Sequence, residues 1–274
     1  MLYLVATPIG NLGDITLRAL EVLKSADEIA CEDTRRSLVL LNHYGIKKPL
    51  ISYHKFNERQ AGEKILEKLA EGKNIALITD AGMPAISDPG ALLVEKLIER
   101  GEKYTVVPGA SALTSALALS GLTGTRFAFL GFLPEGKSER QTLFESYKKI
   151  KTIIAFYSAP HDVERDIASA CLALGDMRAV AVKEITKLHE TVTYFNLKEG
   201  LNDPPRGEYV ILIDNTGEQN ELCSLSEKEH VKYYMDTGLD KKEALKRAAK
   251  DRGVSKSALY KFAVDLKDAE RDEL

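Results

Sequence analysis

With 274 residues, 44% of them hydrophobic and 29% charged, the chain is long enough for two domains of ordinary soluble composition, and its apolar runs fall far short of a membrane span. A net charge of −3 excludes a uniformly basic surface, so contact with nucleic acid has to use local patches. Three scattered cysteines (Cys31, Cys171, Cys223) make neither a disulfide framework nor a metal cluster, and the opening residues read as a strand rather than a signal peptide; a cytoplasmic protein with no metal and no membrane contact is expected.

In chain order, residues 2–6 form a short apolar run, 17–24 have helical spacing and 28–31 read as a second strand. Residues 62–71 are amphipathic, with Ile65, Leu66 and Leu69 at helical spacing. Residues 74–79 read as a buried strand, 91–100 as a helix ending at Gly101, 104–107 as another strand, and 110–120 as a small-residue helix ending at Gly121. This alternation predicts a parallel sheet covered by helices. A hinge is expected at 122–126. Beyond it, strands at 127–132, 152–157, 179–184, 191–196 and 209–213, with helices near 139–150 and 163–174, predict a second α/β domain with a mixed sheet. The short link between 184 and 191 predicts a β-hairpin.

Composition turns polar from 218 to 226, and a helical module follows. Residues 241–251 read as one helix, Gly253, Val254 and Ser255 as a turn, and 256–266 as a second helix capped by Ser255, a helix-turn-helix pattern. The expected domains are therefore 1–121, 122–217 and 225–274. Residues 241–261 carry eight Lys/Arg against Glu243 and Asp251, a net +6, balanced by an acidic stretch over 265–274. Such a run reads equally as a solvated helical face or as a grip on RNA.

The common cofactor fingerprints are missing: no GxGxxG, no Walker loop, no CxxC, no HExxH, no GxSxG elbow and no aromatic RNA-binding run. What remains is three Gly/Pro/small-residue loops at the carboxyl ends of predicted strands, where open α/β sheets bind ligands. They begin at Thr7, Asp80 and Pro108. Glycine lets a backbone approach a ligand closely, and free N–H groups at a helix start can hold a carboxylate.

The segments TPIGNLGDIT, CEDTRRS, ITDAGMPAISDPG, VPGASA and KEITKLHET, beginning at residues 7, 31, 78, 107 and 183, resemble in order and spacing the ribosomal RNA small subunit methyltransferase I family, part of the tetrapyrrole-methylase-like group of S-adenosylmethionine enzymes. The resemblance runs from Leu2 to about Asp214, and the helical tail looks like the family's C-terminal module. It implies two α/β domains (tetrapyrrole methylase-like) with S-adenosylmethionine in the cleft between them, a homodimer, and 2′-O-methylation of a cytidine ribose in the decoding region of 16S rRNA in the small ribosomal subunit. Carried over by position, Pro8, Gly82, Met83, Pro84 and Ile86, then Ser111 and Ala112, look like cofactor contacts of the first domain. Tyr157, Ser158, Gly207 and Glu208 look like those of the second.

Methyl transfer to a hydroxyl needs alignment of donor and acceptor and a group to take the proton. Candidate bases are Asp14, Glu32, Asp33, Lys183, Glu184, His189 and Glu190, of which Asp33, Lys183 and Glu184 are preferred, although a cap, a salt bridge or a solvated group is the simpler reading of each. Arg35 and Arg36 place two planar guanidiniums together, which suits phosphate, and with Lys256 they are the expected RNA contacts. His54 and His161 read as loop residues. Two other functions fit less well: methylation of a small tetrapyrrole by the same fold, and a helix-turn-helix regulator with a ligand-sensing body. The paired arginines and basic tail speak against the first, and the net acidity against the second.

Overall fold

The computed structural model describes residues 1–202, 204–217, 222, 225–252, 254–264 and 266. Five short strands, β1 (Leu2–Val5), β2 (Glu28–Cys31), β3 (Leu50–Ser52), β4 (Ile75–Ile78) and β5 (Tyr104–Val107), form a sheet of order β3-β2-β4-β1-β5, parallel throughout. Helices cover both faces, so β4 is buried at every residue instead of alternating. On one face Leu77 packs with Ile65 and Leu66 of α3 (Glu58–Ala70) and Leu93 and Leu97 of α4 (Ala91–Arg100). On the other, Ile78 packs with Leu23 of α1 (Leu17–Ser25) and Leu41 of α2 (Thr34–His43). Thr16 starts α1 by accepting the Ala19 N–H at 3.0 Å, and Gly101 ends α4 in the left-handed region, φ +66°.

Sequence analysis did not identify α2 and β3, for physical reasons. Only Ser37 and Leu41 of α2 are buried while Leu38 and Val39 face water, so its apolar periodicity is degraded. β3 is a three-residue edge strand, too short to carry a pattern.

The second sheet, β6 (Phe127–Phe132), β7 (Thr152–Ser158), β8 (Arg178–Lys183), β9 (Thr191–Asn196) and β10 (Tyr209–Asn215), has order β6-β7-β10-β8-β9. Its β6–β7 pair is parallel and the rest antiparallel, and the expected hairpin is β8–β9. Helices α6 (Lys137–Tyr147) and α7 (Val163–Leu174) cover one face, where Phe144, Phe156, Val163 and Ile167 are buried together. The other face packs on Ala116 of α5 (Ala112–Leu119), the helix that follows β5. Both sheets belong to one compact unit, Met1–Thr216.

The second unit, Gly217–Leu274, contains α8 (Glu227–Asp236), α9 (Lys241–Arg252) and α10 (Lys256–Tyr260). Sequence analysis missed α8 because its surface is polar and only His230 and Val231 are buried; the signal was the capping box formed by Ser226 and Glu229. Val231 joins Ala244, Leu245, Ala248, Ala249 and Leu259 in a core of the module's own, whereas Phe262 stays partly exposed. Ser255 caps α10 as expected, but the helix ends at Tyr260 rather than 266. Cys223, Gly253, Asp265 and residues 267–274 lie outside the described residues.

His230 is fully buried between Asp251, 3.2 Å from Nε2, and Arg252, whose Nε donates to Nδ1 at 3.0 Å. An Nδ1 that accepts leaves the single proton on Nε2, so the ring is neutral. Burial lowers its pKa, Asp251 opposes, and the Arg252 charge adds to the lowering. A ring that is harder to protonate folded than unfolded stabilises the module above its ordinary value of 6.5, and that contribution is lost as pH falls below it. Hydrogen exchange of the intact protein should therefore show α8 and α9 amides losing protection between pH 7.5 and pH 5, and His230→Gln should flatten that dependence. Equal protection of these amides at both pH values would contradict the assignment.

Candidate functional site

Hydrogen bonds tie the loops after β1 and β4 together. Thr7, just after β1, exchanges both backbone hydrogen bonds with Gly82, at 2.9 and 3.1 Å, and its hydroxyl donates to the Thr79 carbonyl at 3.1 Å. Gly82 sits at φ +80°, a conformation that favours glycine. Among the described residues three that are not glycine also have positive φ, namely Ala85, Glu184 and Thr186, all in the loops around one cleft. Strain of this kind concentrates at functional sites.

That cleft, between the two sheets of the first unit, is a cavity of about 470 Å³, inside the ~300–1,000 Å³ range of small-molecule and cofactor pockets. Ile9, Leu113, Tyr157, Val182 and Val210 supply an apolar wall. Ile86 and Phe132 also line it and remain 65% and 63% exposed, apolar surface that a ligand would cover. Tyr157 is wedged edge-on between Phe129 and Phe132, which fixes its ring.

One rim is acidic. Glu32, Asp80 and Asp88 line it together with Arg36. Asp80 pairs with Arg36 at 2.9 Å and accepts the Asp33 N–H at 3.3 Å. Burial pushes the Asp88 carboxyl above its ordinary value, Asp80 adds to this, and the Thr79 hydroxyl opposes it. Burial likewise raises Glu32, helped by the charges of Asp80 and Asp88 and opposed by Arg36 and His54. No hydrogen bond or ion pair of Glu32 occurs among the described residues.

At the opposite rim Lys187 bridges Glu184 at 2.9 Å and Glu208 at 3.0 Å. Glu184 also accepts the Glu208 N–H at 2.9 Å. Burial would raise the Glu184 carboxyl, but the Glu208 N–H and the Lys187 ammonium outweigh it and hold it below its ordinary value. Burial would lower Lys187, and its two carboxylate partners outweigh that and raise it. Gly207 serves this cluster: its φ is +73°, and a Cβ there would lie 2.5 Å from Glu184 Cγ.

Of the residues expected from sequence, Gly82, Met83, Ile86, Ser111, Ala112, Tyr157, Ser158, Glu184, Glu208 and Arg36 line the cavity, whereas Pro8, Pro84, Gly207, Asp33, Lys183 and Arg35 do not. Ile9 takes the place of Pro8. The Ser158 hydroxyl is spent on buried Asp166, 2.7 Å away. Asp33 is the N-cap of α2, bound by the side chain and backbone N–H of Arg35, which hold its carboxyl down at about 2. So weak a base suits capping better than proton abstraction. Asp88 and Lys187 were missed: one stands in a glycine- and proline-rich loop and the other in a hairpin loop, where charge is ordinarily a solubility feature.

Residues 1–200 match the family model of tetrapyrrole (corrin/porphyrin) methylases. A ribosomal RNA small subunit methyltransferase I from Halalkalibacterium halodurans is 42% identical, the match covering 94% of this chain and 93% of that protein. The chain belongs to the ribosomal RNA small subunit methyltransferase I family. A Thermotoga maritima member is 44% identical and is covered over 97% of its length by 77% of this chain. Among solved structures, a uroporphyrin-III C-methyl transferase from Thermus thermophilus, complexed with S-adenyl homocysteine, shares the fold at a TM-score of 0.56 and 20% identity, covering 78% of this chain and 97% of that one.

In this family member the basic helical module spends part of its charge internally. Lys241 Nζ donates to the Val264 and Leu266 carbonyls, Arg252 holds His230, and Arg247 lies over the Tyr234 ring. Lys242, Lys246, Lys256 and Lys261 are exposed. No helix among the described residues is long and apolar enough to cross a membrane.

Proposed function

We propose that this methyltransferase acts in the cytoplasm on the small ribosomal subunit, moving a methyl group from S-adenosylmethionine to the ribose 2′-hydroxyl of a cytidine in 16S rRNA. The observation that carries the reading is the asymmetry of the cavity, apolar along one wall and bordered at one rim by Glu32, a carboxylate with no ion pair among the described residues, beside a guanidinium, Arg36. S-adenosylmethionine, when bound, supplies an electrophilic methyl group on a sulfonium whose departure leaves a neutral thioether. The residues fit it. Gly82, Met83 and Ile86 would hold it from one side and Tyr157 from the other. The N-terminus of α5, where Ser111 makes no side-chain cap and Ser111 and Ala112 line the cavity, would take its carboxylate.

The chain's own work is to orient the acceptor and remove its proton. Glu32 takes the hydroxyl proton onto its carboxylate, and its raised pKa makes it a stronger base than a solvated glutamate. Arg36, held by Asp80, faces the same cavity and offers its remaining donors to the acceptor nucleotide. Glu184, locked by Lys187 and Glu208, acts as scaffold rather than base. The exposed lysines of the helical module add sequence-independent grip: Lys246→Glu with Lys256→Glu should weaken small-subunit binding and make it less sensitive to salt, and an unchanged salt slope would reduce the basic run to a solvated face.

Incubating the protein with methyl-labelled S-adenosylmethionine and either small ribosomal subunits or a precorrin tests the substrate class. Label should enter the subunits alone; entry into the tetrapyrrole alone would replace the reading.

A further inference from the structure

The loop between β3 and α3 displays Phe56, 95% exposed, between Lys55 and Arg59. The loop is stiff. Asn57 Oδ1 accepts the His54 N–H at 2.8 Å, Asn57 Nδ2 donates to the Ser52 carbonyl at 3.0 Å, and the Asn57 N–H closes the turn onto the His54 carbonyl. It is also braced to the cofactor loop, because Glu58 accepts from both the Tyr53 hydroxyl at 3.2 Å and the Gly90 N–H at 3.0 Å. The exposure of Phe56 is therefore held in place by hydrogen bonds. The side chains of Lys55 and Arg59 have no ion pair or hydrogen bond among the described residues, and together with Phe56, Asn57, Gln60 and Leu92 they line a shallow depression.

We propose that Phe56 is a stacking platform for one unpaired base of the RNA substrate, with Lys55 and Arg59 on the phosphates beside it; this rests on the RNA-methylating reading above. Position supports it. β2 and β3 are paired in parallel, Cys31 opposite Ser52, so the loop stands beside the strand end that carries Glu32 and Arg36. A strand lying across Phe56 would run toward the acidic rim of the cavity. Chemistry supports it too. Arg35 and Arg36 are each already paired with a carboxylate, Asp33 and Asp80, whereas the side chains of Lys55 and Arg59 have no such partner among the described residues. An aromatic face between unpaired cations is the arrangement that binds single-stranded nucleic acid, because every base has a face to stack and every nucleotide a phosphate. An apolar protein partner would find one ring and two charges, a poor match for a hydrophobic docking site.

Phe56→Ala, Phe56→Trp and the pair Lys55→Ala with Arg59→Ala can be compared with wild type in binding a single-stranded RNA oligonucleotide that carries a fluorescent adenine analogue, and in methylating small subunits. Affinity for S-adenosylhomocysteine serves as the folding control. Phe56→Ala should bind the oligonucleotide about five- to one-hundred-fold more weakly and lose the fluorescence quenching that stacking causes, and Phe56→Trp should restore both. The double variant should keep the quenching and reduce the slope of log affinity against log salt by about 1.4, at roughly 0.7 per phosphate contact of a single strand. Wild-type affinity and quenching in Phe56→Ala, while wild type methylates subunits, would overturn the platform alone. Loss of subunit binding with unchanged oligonucleotide binding would assign the loop to a ribosomal protein instead. A wild-type protein that neither binds the RNA nor methylates subunits would remove the functional reading along with the platform.

Discussion

Glu32→Gln should lower the rate constant for methyl transfer by ~10²–10⁴-fold, the usual contribution of a positioned general base, while leaving S-adenosylhomocysteine affinity within a few-fold of wild type. The substitution removes the charge and keeps the shape. It cannot break an ion pair, because Glu32 forms none among the described residues. The sign of the pH dependence follows from the same geometry. The base works only when ionised, so wild-type activity falls as pH drops through the Glu32 pKa, which burial and the carboxylates of Asp80 and Asp88 place above the ordinary 4.5. In Glu32→Gln this acid limb should disappear from what activity remains. Single-turnover kinetics from pH 5 to 9 measures both effects, and a variant that retains the wild-type rate or the wild-type acid limb would move the role to Asp88.

Gly82→Val should reduce cofactor affinity by at least about a hundredfold without unfolding the protein. Gly82 is held at φ +80°, and its N–H and carbonyl are both bonded to Thr7, so the backbone cannot relax toward an angle that valine prefers. A Cβ there would already touch Ile9 Cγ2 at 3.4 Å, and valine adds two methyl groups beyond it in a loop that lines the cavity. Forcing a β-branched residue into this conformation costs about 1–3 kcal/mol, a fraction of the stability of a unit with four buried clusters. Titration calorimetry with S-adenosylhomocysteine, run beside a thermal melt, separates the two effects. Affinity near that of wild type would show that the cofactor does not approach this loop.

Much of the fold could be read from sequence because its strands are short apolar runs bounded by glycine, proline and caps. Ile75–Ile78 and Tyr209–Asn215 have no polar interruption within their buried stretches, and Thr16 and Ser255 mark helix starts. Elements that are stable only in context escaped: β3 at the sheet edge, α2 with Leu38 and Val39 facing water, and α8 with its polar surface. At the site, the glycine loops were readable as ligand-approach segments, since Gly82 and Gly90 stand where no side chain fits easily. The division of labour among the carboxylates was not. Asp33, Glu32, Glu184 and Asp88 look equivalent along the chain. Only their partners distinguish them: the Arg35 backbone and guanidinium for Asp33, Lys187 and the Glu208 N–H for Glu184, and burial beside like charges for Glu32 and Asp88. Gly207 was readable as important, but its use is to make room for Glu184 rather than to line the cavity.

The position of the transferred methyl group tests the central reading most directly. Small ribosomal subunits lacking the modification can be incubated with the protein and methyl-labelled S-adenosylmethionine, and the 16S rRNA then digested to nucleosides and analysed by mass spectrometry. A single labelled nucleoside, cytidine carrying the methyl group on its ribose 2′-oxygen, is the expected product, and it should vanish with Glu32→Gln. Label on a base, on a ribosomal protein, or absent from the subunits while a tetrapyrrole is methylated would contradict it.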